Sequence, residues 1–480
     1  MLTGTDFLQL DSRRAPTRGL TTWLTDAIRK AVIDGRLPPG SALPASRILA
    51  DELTISRGVV VEAYQRLKDE GFVTGRHGAG TVVAPRPPTA AEVSTEAGAD
   101  ALGDVADARL PRIWRDGVDV DLSPGVPDLS AFPRAAWLRA ERAVLAETNT
   151  ADLGYGDPRG SQRLRDELAG WLARTRGLRA RPDEILIVAG VAQSLALLAH
   201  CLRARGHTAI AVEDPGSRGA RDEFAYWGLE PVPVHVDEQG IAAGELRRTE
   251  VRAAAVTPAH QFPSGVVLSA ARRRDLLDWA ATVDGLVIED DYDAEFRYDR
   301  APVPAMHASA PRHVAYAGSV SKTLAPGMRL GWLVAPHRML DDLITAKHAS
   351  DLGSPALPQL VLARLIAAGE LDRHIRLVRK RYRQRRDALM AAIREYLPTA
   401  RVAGVAAGLH LLITFPALSG SDADAELAIR AREAGVLVQP LSMHRMRDGE
   451  AGLVMSYASN GTDKLHDGVR RLAGVWREAA

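Results

Sequence analysis

From about residue 119 onward, short β-branched strands alternate with long amphipathic helices, and this alternation constrains the fold more than any other feature. Parallel strands need a helical crossover, so the pattern predicts a mostly parallel sheet with helices on both faces. Residues 119–480 are therefore predicted to form an α/β unit, with a smaller α+β subdomain from about residue 350. The predicted strands are Glu184–Val188, Thr208–Val212, Val251–Val256, Gly285–Ile288 and His313–Gly318.

Each predicted strand is followed by a segment that is unusually polar or rich in glycine. Open α/β sheets bind ligands at the carboxyl ends of their strands, so these segments predict one composite pocket. The segments are Ala189–Gln193, Glu213–Ser217, Thr257–Gly265, Glu289–Asp293 and Ser319–Lys322.

Lys322 is the most informative residue in these segments, because only six of the 61 lysine and arginine residues are lysines. A lysine amine can form a Schiff base with a carbonyl group, whereas an arginine cannot. A solvated surface lysine is the alternative, but the apolar strand that precedes Lys322 favours a placed residue. Lys322 is therefore predicted to bind an aldehyde cofactor covalently.

A lysine, a carboxylate and an anion site together are what pyridoxal phosphate requires. Asp290 is predicted to pair with the pyridine nitrogen, with a structural loop carboxylate as the alternative. Tyr292 is predicted to contact the ring oxygen or approach Lys322, and a core tyrosine is the alternative. His260 is predicted either to bind the phenolic oxygen of the cofactor or to be a satisfied structural histidine.

The phosphate of such a cofactor needs backbone N–H groups and a positive charge. The start of the helix after the first predicted strand offers the N–H groups, and two later side chains add a hydroxyl and a guanidinium. The predicted phosphate residues are Gly190, Val191, Ala192, Gln193, Ser319 and Arg329.

Residues 16–84 show a different, α+β pattern. Helices are predicted at Leu20–Ile33, Ser46–Leu53 and Arg57–Glu70, and a three-residue turn joins the last two, as in a helix-turn-helix. Residues 71–83 predict two short strands around a glycine-rich hairpin, which is how a wing is built. Residues 85–118 are rich in alanine, proline, glycine and acidic residues, and they predict a linker.

Composition excludes several classes of protein. The formal net charge is +1, so DNA binding must come from a local surface. Cys201 is the single cysteine, which excludes an internal disulfide and a cysteine metal cluster, and no metal site is predicted. The amino-terminal segment lacks the pattern of a secretory signal, and no apolar run approaches the ~20 residues of a membrane helix. A cytoplasmic protein without a membrane partner is expected.

The first 85 residues resemble the winged helix of the GntR family, in the Leu-Pro-x-x-Arg-x-Leu-Ala element at residues 43–50 and the Glu-Gly and Gly-x-Gly-Thr elements within residues 70–81. The resemblance implies that operator DNA is a partner. Gly58 departs from the family pattern, which usually has threonine there. The residues implied at the DNA are Arg47, Ser56, Arg57, Gly58, His77 and Gly78.

The remaining motifs resemble MocR/GabR-type regulators, in which a winged helix is fused to a fold-type I aminotransferase-like domain. They are Thr-Pro-x-His-Gln-Phe-Pro-x-Gly at 257–265, Glu-Asp-Asp-Tyr-Asp-x-Glu-Phe at 289–296 and Gly-x-x-Ser-Lys-x-Leu-x-Pro-Gly-x-Arg at 318–329. The resemblance implies the same roles for Lys322, Asp290, Tyr292 and Arg329. It also implies a small-molecule effector and a head-to-tail homodimer in which Tyr155 reaches the partner's cofactor.

Two positions depart from this family's pattern. Val454 stands where the family has an arginine that binds the carboxylate of an amino acid, and Arg445 or Arg218 is the candidate to replace it. Ser217 stands where an aromatic residue often stacks on the cofactor ring. Val454 weakens the case for an ordinary amino-acid substrate. Ser217 implies that another side chain covers the ring face or that the cofactor is held more loosely.

Three functions follow from the sequence. The first is a transcriptional regulator that senses pyridoxal phosphate or its adduct with an amine or amino acid, with control of vitamin B6 or amino-acid metabolism as a candidate role. The second is an active aminotransferase with secondary DNA binding. The third is a regulator that binds another ligand in the old pocket. Turnover is expected to be absent or limited to a half-reaction.

Overall fold

The computed structural model of the protein describes residues 16, 19–76, 80–85, 117–299, 303–404, 406–416, 418, 420 and 423–479. Its internal contacts divide the chain into two compact units, between residues 108 and 109. Each unit has its own buried core. The predicted linker limits of 85 and 118 remain predictions, because most of that segment lies outside the described residues.

The first unit is a winged helix-turn-helix, as the sequence predicts. Its helices are α1 (Leu20–Ile33), α2 (Ser46–Leu53) and α3 (Arg57–Asp69), and its antiparallel strands are β1 (Val73–Arg76) and β2 (Gly80–Val83). Apolar side chains from all three helices and the hairpin form one core. Thr54 ends α2 in the left-handed region, with φ 54°, and so turns the chain into α3.

The second unit is built on an eight-stranded mixed sheet. The strands of this unit before residue 350 are β3 (Val120–Asp121), β4 (Ile185–Val188), β5 (Ala209–Asp214), β6 (Glu230–Asp237), β7 (Gly240–Ile241), β8 (Ala253–Val256), β9 (Leu286–Asp291), β10 (Val314–Ser319) and β11 (Gly331–Val334). All but β3 join the sheet, in the order β4-β11-β10-β9-β8-β5-β6-β7.

Helices cover both faces of this sheet. In β4, Ile185 and Ile187 enter one apolar core while Leu186 and Val188 enter another, so both sides of the strand are buried. The helices before residue 368 are α4 (Arg134–Glu147), α5 (Gln162–Arg176), α6 (Val191–Ala204), α7 (Arg218–Tyr226), α8 (Ala243–Leu246), α9 (Ala270–Thr282), α10 (Leu340–Asp351) and α11 (Ala356–Ala367). Short 3-10 helices lie at Leu129–Ala131, Ala151–Leu153, Pro182–Glu184, Met306–Ala308, Pro326–Met328, His337–Met339 and Leu441–His444.

The sheet differs from the prediction in the extent of its strands and in containing three strands, β6, β7 and β11, that were not predicted. Strands β5 and β9 continue through the carboxylates that were predicted to lie in loops, as far as Asp214 and Asp291. Asp291 is tolerated there because Arg176 and Tyr316 donate to it at 2.6 and 2.5 Å. Strand β11 is antiparallel to both β10 and β4, since the connection from β10 is too short for a helical crossover.

The carboxyl-terminal part forms the smaller α+β subdomain. It contains α12 (Glu370–Tyr396), β12 (Arg401–Ala403), β13 (His410–Thr414), α13 (Ala423–Glu433), β14 (Val436–Leu437), β15 (Gln439–Pro440), β16 (Gly452–Ser456) and α14 (Thr462–Ala479). The antiparallel sheet has the order β12-β13-β16-β15, and β3 pairs with β14 beside it. Within the described ranges, no helix is both long and apolar enough to cross a membrane.

Candidate cofactor pocket and DNA-binding helix

A cavity of about 380 Å³ lies at the carboxyl ends of the central strands. It brings together seven of the residues that the sequence predicts at a cofactor, namely Val191, Ala192, Asp290, Tyr292, Ser319, Lys322 and Arg329. The other lining residues are Gly125, Ser217, Thr257, Phe262, Ser321, Pro326, Leu409 and His410. The composite pocket predicted from the strand ends therefore exists as one space.

Lys322 follows the end of β10 and turns its amine towards Gly125. Its Nζ donates a hydrogen bond to the Gly125 carbonyl oxygen at 2.5 Å. Burial lowers the pKa of Lys322, while the carboxylates of Asp293 and Asp290 oppose part of that shift. A lowered pKa increases the fraction of neutral amine, which is the form that attacks a carbonyl carbon.

One carboxylate oxygen of Asp290 lacks a hydrogen-bond donor. Its Oδ1 is inaccessible to water and has no hydrogen-bond partner among the described residues. Burial, reinforced by the charge of Asp291, raises the pKa of Asp290 to about 7. A protonated ring nitrogen would supply both the missing donor and the missing positive charge, so the residue fits a pyridinium ring.

Tyr292 and His260 are in contact, but only Tyr292 lines the cavity. The Tyr292 hydroxyl donates to the His260 carbonyl oxygen at 2.9 Å and lies 3.0 Å from His260 Nδ1. His260 Nδ1 is also 3.1 Å from Asp293 Oδ2. The structure thus places His260 behind Tyr292, where its ring supports the phenol rather than facing a ligand directly.

The predicted phosphate residues gather at the first turn of α6. Gly190 has φ 94°, a backbone conformation that favours glycine, and it lies next to the Arg329 guanidinium at the helix start. The side chain of Gln193 does not line the cavity. Its Oε1 accepts from Ala189 N at 2.8 Å and its Nε2 donates to Asp351 at 2.8 Å. The side chain therefore links the segment before α6 to the end of α10.

One wall of the cavity combines Phe262, from a predicted pocket segment, with two residues that were not predicted. Phe262 and His410 contribute aromatic rings 5.0 Å apart, and Leu409 lies beside them. Leu409 and His410 come from the smaller subdomain and follow no recognisable motif. Ser217 lines the cavity as predicted, but its hydroxyl accepts from Ala220 N at 3.3 Å and caps α7.

The position predicted to lack a carboxylate anchor is apolar in the structure. Val454 is fully buried in β16 and packs with Leu412 and Leu441. Neither Arg218 nor Arg445, the predicted replacements for the missing arginine, lines the cavity. Arg218 lies 3.3 Å from Asp222, and Arg445 donates to the Glu450 carbonyl oxygen at 3.0 Å. Among the described residues, the cations that line the cavity are Lys322 and Arg329.

Tyr155 lies outside this cavity. Its side chain is 91% exposed, and it lines a separate pocket of about 890 Å³ with residues of the loop after α10. Leu153, also exposed at 63%, lies beside it in the same pocket. Helix α4 exposes Leu138 and Leu145. Tyr155 therefore has no role in the cofactor cavity of its own chain, and its predicted contact with a partner stays a prediction.

In the winged helix, the predicted DNA residues that are described are exposed. Arg47 lies on α2, and Ser56, Arg57 and Gly58 open α3. The Ser56 hydroxyl accepts from Val59 N at 3.4 Å, which leaves the helix start well formed. A Cβ on Gly58 would meet nothing nearer than 3.9 Å, so packing does not require glycine there. His77 and Gly78 lie outside the described residues.

Comparison with known proteins gives both units a family. Residues 20–83 match the bacterial regulatory proteins of the gntR family, and residues 119–472 match aminotransferase class I and II. The HTH-type pyridoxine biosynthesis transcriptional regulator PdxR of Corynebacterium glutamicum is 33% identical over 450 residues, which is 93% of each chain. The probable rhizopine catabolism regulatory protein MocR of Rhizobium meliloti is 30% identical over 461 residues, covering 94% of this chain and 93% of that one.

Solved structures show the same relationship for the larger unit. The kynurenine aminotransferase of Pyrococcus horikoshii, in complex with PMP, superimposes with a TM-score of 0.72 at 26% identity. The match covers 81% of this chain and 98% of that chain. The fold predicted from the strand and helix pattern is therefore the aminotransferase fold.

Proposed function

Because the chain belongs to the MocR-type transcriptional regulators of the GntR family, we propose that its larger unit binds pyridoxal phosphate and that this binding controls DNA binding. The observation that carries the proposal is that Lys322 and Asp290 share one cavity, where Asp290 Oδ1 has no partner. A bound aldehyde cofactor would satisfy both groups at once.

The seven lining residues that the sequence predicts each have a role in this proposal. Lys322 would bind the aldehyde carbon through Nζ with loss of water, Asp290 would accept from the ring nitrogen, and Tyr292 would contact the ring oxygen. The N–H groups of Val191 and Ala192, with Ser319 and Arg329, hold the phosphate. The bound cofactor would supply an electron-accepting ring to any amine that enters.

The charges in the pocket favour pyridoxal phosphate itself as the signal. The cofactor engages both lining cations, Lys322 and Arg329, so the carboxylate of an amino acid finds none left within the described cavity. A missing charge-assisted hydrogen bond costs about 1.5–3 kcal/mol. The relative in C. glutamicum is named as a regulator of pyridoxine biosynthesis. We propose that this chain likewise controls vitamin B6 genes. We also propose that it acts in the cytoplasm.

We also propose that the regulator is a head-to-tail homodimer. The exposed Tyr155 and Leu153, with the apolar side chains on α4, supply a surface that a second copy can cover. In such a dimer Tyr155 reaches the partner's cofactor.

Absorbance of the full-length protein tests cofactor binding. We expect a near-visible band on loading with pyridoxal phosphate, fixed by borohydride at Lys322 and located by peptide mass. Lys322→Ala loses both the band and the fixed mass, whereas Lys380→Ala, at an exposed lysine on α12, keeps them. An unmodified Lys322 in cofactor-saturated protein contradicts the proposal.

Two further measurements separate regulation from catalysis. Genome-wide mapping of bound sites with and without pyridoxal phosphate should show occupancy that depends on the cofactor, next to vitamin B6 genes. Incubation with amino donors and oxo acids should give no steady product. Sustained turnover that Lys322→Ala abolishes would instead favour an active aminotransferase.

A further inference from the structure

Asp293 is a buried carboxylate beside the cofactor pocket, and none of the roles above explains it. Its residue is 1% exposed. Its Oδ2 lies 3.1 Å from His260 Nδ1, and its Oδ1 has no hydrogen-bond partner among the described residues. A buried carboxylate with so little compensation is costly, so it calls for a reason beyond packing.

The hydrogen bonds around His260 fix the position of its proton. An ionised carboxylate only accepts hydrogen bonds, so Asp293 holds the proton of His260 on Nδ1. The Tyr292 hydroxyl is 3.0 Å from that nitrogen and 2.9 Å from the His260 carbonyl oxygen. Because Nδ1 already carries a proton, the phenol must donate to the carbonyl oxygen. Its remaining lone pair then faces the cavity as an acceptor.

Packing holds this arrangement in place. Gly408 has φ 71°, and a Cβ there would lie 2.1 Å from His260 Cε1 and 2.6 Å from Asp293 Oδ2. The ring of His410 lies 4.9 Å from that of His260. The imidazole therefore has little room to turn and offer its other nitrogen to Asp293.

We propose that Asp293 is a positioning residue that acts through His260 to make the Tyr292 oxygen an acceptor, and so raises the proton affinity of the Lys322 nitrogen in the loaded pocket. The inference rests on the proposed binding of pyridoxal phosphate. It agrees with the electrostatics, since the charge of Asp293 raises the pKa of Lys322 more than the charge of Asp290 does.

Other titratable groups surround this array. Asp291 is paired with Arg176 at 2.6 Å. Burial lowers the pKa of His410 well below its usual value, so this ring is neutral. The remaining groups from neighbouring elements are Glu213, Asp290, Glu295, Tyr298, Arg329 and Tyr457.

A metal ion is a poorer account of the same cluster. The potential ligand atoms of His260, Asp293 and His410 lie within 4.8 Å of one another. His260 Nδ1, however, is already shared by Asp293 and Tyr292. A metal at this nitrogen would have to displace both contacts.

The test is a pH titration of the near-visible absorbance of full-length protein saturated with pyridoxal phosphate. Asp293→Asn should lower the midpoint by about one pH unit, because the nearby negative charge and the fixed acceptor are both lost. The matched control is Asp214→Asn, a buried strand-end aspartate whose oxygens accept from Met446 N and Arg447 N. This control should leave the midpoint unchanged.

His260→Gln separates the relay from a direct effect of charge. It should also lower the midpoint of the titration. In the His260→Gln background, Asp293→Asn should shift the midpoint by less than it does in the wild-type protein. An unchanged midpoint in Asp293→Asn, or an equal shift with and without His260, overturns the proposal.

Two failures can be told apart from these outcomes. Circular dichroism reports whether Asp293→Asn folds. If it does not, His260→Gln decides alone, and an unchanged midpoint in that variant overturns the proposal. Absence of the band in wild-type protein counts against cofactor binding instead.

Discussion

At the scale of single residues, the strand ends concentrate carboxyl groups that burial makes weak acids. The pKa values of Glu213, Glu289, Asp290 and Glu295 are all raised to about 7, with burial as the largest cause. Glu289 compensates by accepting from Met306 N and His307 N. Asp290 has an oxygen without a hydrogen-bond partner among the described residues. Of these four carboxyl groups, it is therefore the one whose protonation a ligand can change most.

Asp290→Asn should therefore change how the stability of cofactor-free protein depends on pH. Because the pKa of Asp290 is raised from 3.8 to about 7 in the folded state, the folded protein binds this proton more tightly than the unfolded protein does. The proton therefore stabilises the fold at low pH, and this stabilisation is lost as the pH rises to about 7. From pH 5 to pH 8, wild type should lose on the order of 2 kcal/mol relative to Asp290→Asn. Urea unfolding at both pH values measures this, and parallel pH profiles would contradict it.

Individual residues differed in how far the sequence could predict them. Lys322 follows β10 and Asp290 lies at the carboxyl end of β9, so their meeting in one pocket follows from the geometry of a sheet. Leu409 and His410 reach the same pocket from the smaller subdomain, and no local pattern encodes the packing of one subdomain on another. The position of His260 behind Tyr292 depends on hydrogen-bond geometry that spacing in the sequence does not specify.

At the scale of secondary-structure elements, α3 presents its amino-terminal end to solvent. Arg57 is exposed there, and its Nε lies 3.4 Å from Ser46 Oγ on α2. Backbone N–H groups at this end and the guanidinium together suit a phosphate or a base edge. The start of α3 thus combines the Ser56 cap with the exposed guanidinium of Arg57.

Arg57→Ala should weaken specific operator binding by about 1–3 kcal/mol while leaving the absorbance of the cofactor intact. Footprinting on a fragment recovered by genome-wide mapping measures the effect. Arg66→Ala is the matched control, because Arg66 lies on the same helix and is engaged with Glu62 at 3.1 Å. Unchanged footprints for Arg57→Ala would remove α3 from the recognition surface.

Helices were easier to predict than strand ends. The bounds of α1 and α2 agree with the sequence, because apolar periodicity and flanking turn residues coincide there. Strands β5 and β9 run further than predicted, since tertiary partners satisfy carboxylates that a sequence pattern assigns to loops. Strand β11 was not among the predicted strands, and its antiparallel pairing depends on the whole sheet.

At the scale of the whole molecule, a shared site in a dimer can be tested by mixing variants. Tyr155→Phe should weaken binding of pyridoxal phosphate roughly tenfold, through loss of one hydrogen bond to an anion. Co-expression with Lys322→Ala should restore tight binding to the subunits that keep Lys322, because the partner then supplies Tyr155.

Absorbance titration of the tagged mixed dimer measures this complementation, and Tyr226→Phe is the control. Tyr226 is 83% exposed and lies on α7, away from the pocket that Tyr155 lines. Light scattering gives the oligomeric state. A monomer, or a mixed sample that binds no better than Tyr155→Phe alone, would contradict the shared site.

The order of strands in the large sheet also affects how the chain is made. Among the described strands, β4 pairs only with β11, whose Gly331 lies opposite Val188. On the ribosome, the winged helix emerges first and can close its own core, while the sheet must wait for β11 to be translated. A nascent chain can therefore hold a folded winged helix before the sheet that carries the cofactor pocket is complete.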